Sequence, residues 1–490
     1  MWTRETLHKA VEEGLKDHIF IAVSNRQPYI HQYKKGKIVL MRPASGLTTA
    51  ISPVMKACGG VWVVHGSGDA DHEMVDEKDH FMAPPPPDES KYLLRRVWMS
   101  KEEEDGYYYG FANETLWPLS HIVYKQPTFD FSDWRYYKLI NERFAKAVLS
   151  EIKGKKAFIL IQDYHFALLP GLIKRKRPDV LIAHFWHIPW PNSEVFGICP
   201  YKHEVLEGLL ANDLLGFHVR YHCDNFFSSV EQELECRVDR ERSSVWYQGK
   251  ETLVKPFPIS VDYESIDKTI KATRPESSRK LVRNHISVLP EILCFGADRI
   301  DYTKGIPERL RAIDRFLEKH PEYKERFTYL GIGSPSRVHI EAYRDLADQI
   351  SDLVEEINWK HKSGSWVPIV YVDEHTDKRT LLSYYRIADL CLVSSLHDGM
   401  NLVAKEFVAA SRSKEAMLIL SQWTGAAREL TDSILVNPYD TEGFADAIYE
   451  AISMPAKEKR DRMRRMKQIV RENNIYNWAA RLILELTKLE

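Results

Sequence analysis

No Gly-x-Gly-x-x-Gly follows a strand-like run in these 490 residues, and no Walker-type Gly-Lys-Ser/Thr loop occurs. The first absence disfavours a common nicotinamide dehydrogenase and the second an ATPase, because both need glycines to bring backbone N–H groups onto phosphate. The six cysteines (Cys58, Cys199, Cys223, Cys236, Cys294, Cys391) include no Cys-x-x-Cys pair. Their scatter argues against structural zinc and for a reducing compartment. No apolar run approaches the roughly 18–20 residues of a membrane span. Met1-Trp2-Thr3-Arg4-Glu5 opens a charged helical pattern, not a signal peptide. Neither sign of charge is in excess: 68 Lys+Arg against 70 Asp+Glu leave −2, so nothing points to nucleic acid. The expectation is a cytoplasmic protein with no membrane and no nucleic-acid partner.

The chain is too long for one ordinary core, so two or three domains are expected. Ile19 to Val23 is a short apolar run ending at Ser24-Asn25-Arg26. Leu47, Ile51, Val54 and Met55 then follow helical spacing up to Gly59-Gly60, and Val61 to Val64 restarts a strand ending at His65. Residues 135–153 read as a helix, followed by a strand, Ala157 to Ile161, ending in Gln162-Asp163-Tyr164-His165. Ala167 to Ile173 is an apolar helix, Val180 to Phe185 a strand ending in Trp186-His187-Ile188-Pro189, and Leu214 to His218 repeats the pattern. Recurring βα units with polar residues just after the strands predict doubly wound parallel sheets with ligands at the strands' carboxyl ends.

Near Pro256-Phe257-Pro258-Ile259 the pattern pauses, and a basic helix is expected over Tyr263 to Asn284. A second series begins with Ile292 to Gly296 and continues through Phe327 to Ile332, Val367 to Val372, Ala388 to Val393 and Ala416 to Leu420. Two α/β domains facing each other across a cleft follow, with an amphipathic last helix, Asn474 to Leu484, packing back over the boundary. Asp69 to His80 is rich in Asp, Glu and His, but its spacing is irregular and it runs into Pro84-Pro85-Pro86-Pro87. It reads as a solvated loop entering a polyproline segment, not as a metal site. Lys101 to Asp105 reads as an exposed helix face, and Tyr107-Tyr108-Tyr109, Phe111 and Trp117 read as core.

The informative stretch is Leu396-His397-Asp398-Gly399-Met400-Asn401-Leu402-Val403-Ala404-Lys405-Glu406. It joins the strand at 388–393 to a helix over Leu402 to Ala410, so free N–H groups and the helix dipole collect at a strand's carboxyl end. A phosphate site is one reading, with Glu406 on a ribose diol; an ordinary βα loop N-capped by Asp398 is the other. Arg299 and Lys304, in Arg299-Ile300-Asp301-Tyr302-Thr303-Lys304-Gly305 after the first strand of this series, favour a diphosphate. No pair of carboxylates suited to Mg²⁺ stands at a strand end, so the charge of the diphosphate falls to these two cations. The first domain contributes Arg26, Asp163, His165 and His187, with structural roles open for the two histidines.

Arg299 to Gly305 with Pro307-Glu308-Arg309, and Asp398 to Glu406, resemble the trehalose-6-phosphate synthase family. Ser24-Asn25-Arg26, Leu116-Trp117-Pro118, Asp163-Tyr164-His165, His187-Ile188-Pro189, Leu214 to Phe217 and Val436-Asn437-Pro438-Tyr439 match in order. The resemblance implies the GT-B fold: an N-terminal acceptor-binding Rossmann-like domain (1–258), a C-terminal nucleotide-sugar-binding one (259–472) and a returning helix (473–490). It implies a metal-independent, retaining glycosyltransferase with no cofactor that moves glucose from a nucleotide-glucose, UDP-glucose above others, to glucose 6-phosphate. The donor diphosphate would rest on Arg299, Lys304 and the N–H groups of Asn401 and Leu402, with Gly46 beside the donor and Glu406 on the ribose. Asp398 and His187 would orient the glucose, Asp163 would face the acceptor hydroxyl, and Arg26, His65, Tyr108, Trp117 and Arg337 would hold the acceptor.

Most departures from the family pattern lie on the acceptor or loop side. Ser45-Gly46 replaces Gly-Gly, Gln162 replaces a His, His65 stands where a Trp is usual, and His397 replaces an Arg. Glycerol 3-phosphate, the acceptor of glucosylglycerol-phosphate synthases in the same family, is therefore a second reading. A catalytically silent sugar-phosphate-binding regulator is a third, from another class. The partners implied are the two substrates, with the oligomeric state open and a homo-oligomer allowed.

Overall fold

The apolar runs bounded by polar residues become strands of two large sheets, one in each of two units. The structure is a computed structural model that describes residues 1–15, 18–43, 46–86, 88, 90–286, 288–413 and 415–489. One unit comprises Met1–Ile259 with Ile475–Glu490, the other Ser260–Asn474.

In the first unit the strands are β1 (His18–Ser24), β2 (Ile30–Lys34), β3 (Lys37–Met41), β4 (Val61–His65), β5 (His80–Ala83) and β6 (Tyr92–Val97). They continue with β7 (Lys156–Gln162), β8 (Leu181–Phe185), β9 (Leu214–Phe217), β10 (Arg237–Asp239), β11 (Ser244–Tyr247) and β12 (Lys250–Pro256). Apart from the β2–β3 hairpin they form one sheet in the order β10-β11-β12-β9-β8-β7-β1-β4-β6-β5. From β12 to β6 neighbouring strands run parallel, and β5 and the β10–β11 edge are antiparallel. Central strands with both faces covered need no polar alternation, and every residue of β4 and β9 is buried. Successive strands move outward from β1 in one direction and from β7 in the other, so the order reverses between β1 and β7. Ligands of open α/β sheets bind outside the carboxyl ends of the strands at such a point.

Local chemistry sets the connections. The turn into β4 passes so close to β1 that a Cβ on Gly60 would lie 2.1 Å from the Phe20 carbonyl oxygen. Ser100 and Glu103 form a capping box at Lys101–Glu104, and Asp130 caps the long helix Phe131–Ile152. Between them Asp105–Leu116 is a twelve-residue π-helix. Its wider turn buries Tyr107, Tyr108 and Phe111 together, and π-helical geometry is frequent at functional sites. The helix Ile475–Thr487 belongs to this unit: Trp478 meets the Phe185 ring edge-on at 5.1 Å, and Lys255 pairs with Glu485.

The second unit has one parallel sheet of β13 (Ile292–Arg299), β14 (Phe327–Ser334), β15 (Ile369–Asp373), β16 (Leu390–Val393), β17 (Met417–Ser421) and β18 (Ile434–Val436). Its order is β15-β14-β13-β16-β17-β18, with the reversal between β13 and β16. The doubly wound α/β reading holds for both sheets.

Two expectations need correction. The helix expected over 263–284 is two helices, Tyr263–Ala272 and Pro275–Arg283. The ring of Pro275 disfavours helical backbone at Arg274, and its fixed φ starts the next helix. The segment expected as a solvated loop at 69–80 places Asp71 wholly inside the unit. Its carboxylate is compensated there by the N–H groups of His31 and Gly68, both at 2.8 Å, and by Arg96 at 2.9 Å. Ser45 and Pro87 lie outside the described residues.

Candidate functional site

At the reversal point of the first unit, β1 delivers Ser24, Asn25 and Arg26. The Ser24 hydroxyl donates to the Arg26 carbonyl (2.7 Å) and accepts from Trp62 Nε1 of β4 (2.9 Å), which fixes the bend. Arg26 Nη2 donates to the Tyr108 hydroxyl at 2.7 Å. The Tyr108 ring, presented by the π-helix, lies parallel to His165 with centroids 5.7 Å apart. His165 in turn stacks on Tyr164 at 4.1 Å, and Trp117 lies 5.8 Å from Tyr164. Arg26, Tyr108 and Trp117, 91 positions apart at their extremes (26 to 117), are thus joined through the turn after β7.

Asp163 opens that turn with φ +74, a strained backbone for a residue with a Cβ. Its carboxylate accepts from the Tyr164 N–H (3.0 Å) and the His187 N–H (3.2 Å). His187 is held at three atoms. Its N–H goes to Asp163, its carbonyl accepts from His218 Nε2 (3.0 Å), and its ring Nε2 meets Gln162 Oε1 (2.7 Å). Burial, with a contribution from His184, lowers its pKa to about 3, so the ring is neutral throughout physiological pH. His65, the last residue of β4, is buried and lowered to about 4 by desolvation, against the pull of Asp71. Gly46 is exposed and opens the helix Gly46–Cys58.

In the second unit Arg299 ends β13 and Lys304 closes the 3₁₀ turn Tyr302–Lys304. Gly305 then takes φ +59, and a Cβ there would lie 2.2 Å from the Ser394 carbonyl oxygen. That approach joins the two loops at the reversal point. Lys304 Nζ bonds Asp398 Oδ2 at 2.5 Å, and the same oxygen takes Ser395 Oγ (3.2 Å) and Asn401 Nδ2 (3.3 Å). Asp398 is not the N-cap of the helix Leu402–Ala410. Asn401 fills that place with φ +75 and accepts from the Ala404 N–H at 3.2 Å. The helix starts at Leu402, so the cap position falls on Asn401, and the carboxylate of Asp398, three residues earlier, pairs with Lys304. The N–H groups of the first helical turn, Leu402 among them, have no acceptor within the helix. Glu406, one turn in, lies 3.4 Å from Lys378 Nζ.

Arg337, also at positive φ, has its guanidinium buried 3.1 Å from Asp301 Oδ2, which is 3.8 Å from Arg299. Two further charges escaped the sequence reading. Arg309 is buried and bonds Asp298, Tyr329 and the Ser394 hydroxyl (2.5, 2.8 and 2.9 Å). Ser394 in turn donates toward the carbonyls of Lys304 (3.0 Å) and Gly305 (2.8 Å). Burial raises the Asp298 carboxyl against the opposing pull of Arg309. The signal was present in Pro307-Glu308-Arg309, an arginine on an otherwise apolar helix face. Among the described residues no group of three or more His, Cys, Asp or Glu is placed to hold a metal ion. Arg299 and Lys304 beside a helix N-terminus suit a polyanion.

The family model for Glycosyltransferase family 20 matches residues 18–488. The chain belongs to glycosyltransferase family 20. It is 31% identical over 478 residues to the Dictyostelium discoideum "Alpha,alpha-trehalose-phosphate synthase [UDP-forming] A", covering 96% of this chain and 62% of that protein. The chain thus spans less than two thirds of that relative's length. A Burkholderia xenovorans alpha,alpha-trehalose-phosphate synthase (UDP-forming) solved with glucose-6-phosphate superposes with TM-score 0.85 at 28% identity, covering 96% of this chain and 99% of that one. An Escherichia coli structure bound with UDP-2-fluoro glucose gives TM-score 0.83 at 29% identity, covering 96% and 98%. The fold of this family 20 chain is GT-B, two Rossmann-like α/β domains. Of the residues where it departs from the expected pattern, Gln162 and His65 are buried beside His187 and Asn25.

Proposed function

We propose that this family 20 chain transfers glucose from UDP-glucose to glucose 6-phosphate with retention of configuration, giving alpha,alpha-trehalose 6-phosphate without a metal ion or cofactor. The observation that carries the reading is the convergence of Arg299, Lys304 and the N-terminus of Leu402–Ala410 at one reversal point. Such preorganised charge stabilises a departing diphosphate at no reorganisation cost in the transition state. Arg299 and Lys304 take the diphosphate, with Gly46 beside the donor and the N–H groups of Asn401 and Leu402 assisting. Glu406 takes the ribose, releasing Lys378. Asp398 and neutral His187 hold the donor glucose by hydrogen bonds. Asp163 faces the acceptor hydroxyl, and Arg26, His65, Tyr108, Trp117 and Arg337 hold the acceptor. The leaving phosphate oxygen takes the acceptor's proton on the face where the new bond forms, so the protein supplies position and charge, not a covalent intermediate.

Names and ligands of the relatives support donor and acceptor: one is UDP-forming, one was solved with glucose-6-phosphate, one with UDP-2-fluoro glucose. Unbridged cysteines support a cytoplasmic setting. Among the described residues no helix is long and apolar enough to cross a membrane. The test is product formation over a matrix of nucleotide-glucose donors and phosphorylated acceptors. UDP-glucose with glucose 6-phosphate is expected to give the highest kcat/KM. A matrix in which glycerol 3-phosphate exceeds glucose 6-phosphate refutes the acceptor assignment, and binding without turnover throughout refutes transfer. Arg299→Ala is expected to slow transfer by about 2–4 kcal/mol, and near-parental turnover would take Arg299 out of the mechanism.

A further inference from the structure

Asp301 stands between the two arginines assigned to different substrates, and its carboxylate is wholly buried. One oxygen accepts from the N–H (3.1 Å) and hydroxyl (2.9 Å) of Thr303. The other accepts from Arg337 Nη1 (3.1 Å) and the Tyr343 hydroxyl (3.5 Å) and lies 3.8 Å from Arg299 Nη2. Arg337 also donates to the Tyr343 hydroxyl. The two guanidiniums are held unequally: the side chain of Arg337 is 3% exposed and that of Arg299 37%. Lys304 and Arg309 have carboxylates of their own, Asp398 and Asp298. Burial alone would raise the Asp301 carboxyl, but Arg337, then Arg299 and Lys304, hold it below the usual carboxylate range. It carries its charge at neutral pH.

We propose that Asp301 is a counter-ion shared by Arg299 and Arg337 that limits how tightly the phosphates are held, so that the nucleoside diphosphate product is released. The inference rests on the reading that Arg299 receives the donor diphosphate and Arg337 the acceptor phosphate. Thr303 anchors the carboxylate, so it cannot swing aside when a phosphate arrives. The arginines must divide their charge between Asp301 and the ligand. Arg299, the more exposed of the two and at the longer distance, is the one placed to turn toward a diphosphate, while Arg337 stays on the carboxylate. Each phosphate therefore meets a guanidinium whose charge is partly neutralised. A purely architectural Asp301 predicts the opposite effect of its removal, because loosened arginines bind phosphate less well.

The test uses the full chain with Asp301→Asn, which keeps the shape and removes the charge. Inorganic pyrophosphate is titrated calorimetrically, and steady-state rates are measured beside it. The variant is expected to bind pyrophosphate about tenfold more tightly, to lower KM for the donor and to lower kcat because product leaves slowly. Asp301→Glu is expected to return affinity toward the parent. Unchanged or weaker pyrophosphate binding by folded Asp301→Asn overturns the proposal. Should the Asn variant not fold, Asp301→Ser, which leaves room for water beside the arginines, is judged by the same two outcomes. Arg299→Ala separates the premises. Parental pyrophosphate affinity there refutes the phosphate site itself, whereas lost affinity there without tightening in Asp301→Asn refutes the shared counter-ion alone.

Discussion

Arg96→Met perturbs the most enclosed ion pair in the chain's first unit, and its cost follows from the partners left behind. Arg96 and Asp71 both have fully buried side chains. The guanidinium donates to Gln27 Oε1 (3.1 Å), to the carbonyls of Asp71 (2.8 Å) and Tyr29 (3.3 Å), and to His31 Nδ1 (2.8 Å). Gln27, Tyr29 and His31 follow Arg26 after β1, and Asp71 lies in the loop that follows His65. One side chain therefore ties together the two loops that carry proposed acceptor residues. Methionine fills similar volume but leaves Asp71 charged and unpaired by any cation, which costs about 3–5 kcal/mol. Equilibrium unfolding followed by tryptophan fluorescence reads this directly, because Trp62, Trp134, Trp186 and Trp190 are all buried in this unit.

The pH dependence of that loss has a definite sign. In the parent, burial and then Arg96 lower the pKa of His31, so its neutral Nδ1 accepts from the guanidinium. A folded value below the unfolded one, about 6.5, means stability present above that pH and lost as the pH falls below it. Without Arg96, His31 can protonate and donate to Asp71 Oδ1, 3.1 Å away. Its folded value then lies above the unfolded one, and acid stabilises the variant. The deficit of Arg96→Met relative to the parent is expected to shrink between about pH 8 and pH 5.5. A deficit below about 1 kcal/mol, within the range of an exposed pair, or one that grows in acid, refutes the reasoning.

Gln162→Glu places a carboxylate at the position 2.7 Å from His187 Nε2. The parent ring, lowered to about 3, is expected to give no acid limb from His187 between pH 5 and 8, whereas the variant should lose kcat as acid protonates His187; superimposable pH–kcat profiles would remove this contact from the chemistry. Asn401→Asp keeps a side-chain acceptor for the Ala404 N–H but adds negative charge at the helix N-terminus and beside Asp398. Donor affinity is expected to weaken about tenfold with thermal stability nearly unchanged, and equal donor affinity by calorimetry would exclude a diphosphate from this helix end.

The strands and their carboxyl-end residues were legible because parallel, two-face-buried strands are continuous apolar runs and the chain turns polar where each one ends. Ser24 to Arg26, Gln162-Asp163, His187, Arg299 and Asp398 were all picked out on that signal. The β2–β3 hairpin was not. Its strands are short and carry Lys34 and Lys37, and its turn is Lys35-Gly36, both at positive φ. That geometry suits a two-residue hairpin loop, yet Lys in place of Asn or Asp hides the signature. The π-helix was hidden for another reason. A run such as Tyr107-Tyr108-Tyr109-Gly110-Phe111 is apolar throughout, so no helical period separates one face from another.

What the sequence could not show is which charge answers which. Arg96 and Asp71 are 25 positions apart, Arg337 and Asp301 are 36, and Lys304 and Asp398 are 94. Each partner was visible as a residue type, but the pairing exists only once β13 lies beside β14 and β16, or β4 beside β6. The reading of Asp398 shows the consequence. Judged locally, an Asp just before a helix is a natural N-cap, and that stretch alone does not decide between an Asp398-capped loop and a phosphate site at the helix start. In the structure the helix starts three residues later than an Asp398 cap would need, so the amide of Asn401 caps it and the Asp398 carboxylate pairs with Lys304 at 2.5 Å. A cation held by a carboxylate before any phosphate arrives is preorganised, because its rotamer is already fixed and its desolvation is already offset. In the second unit the pairs that local reasoning misses therefore set the strength of the proposed phosphate grip, and Asp301 there answers to two cations, Arg299 and Arg337.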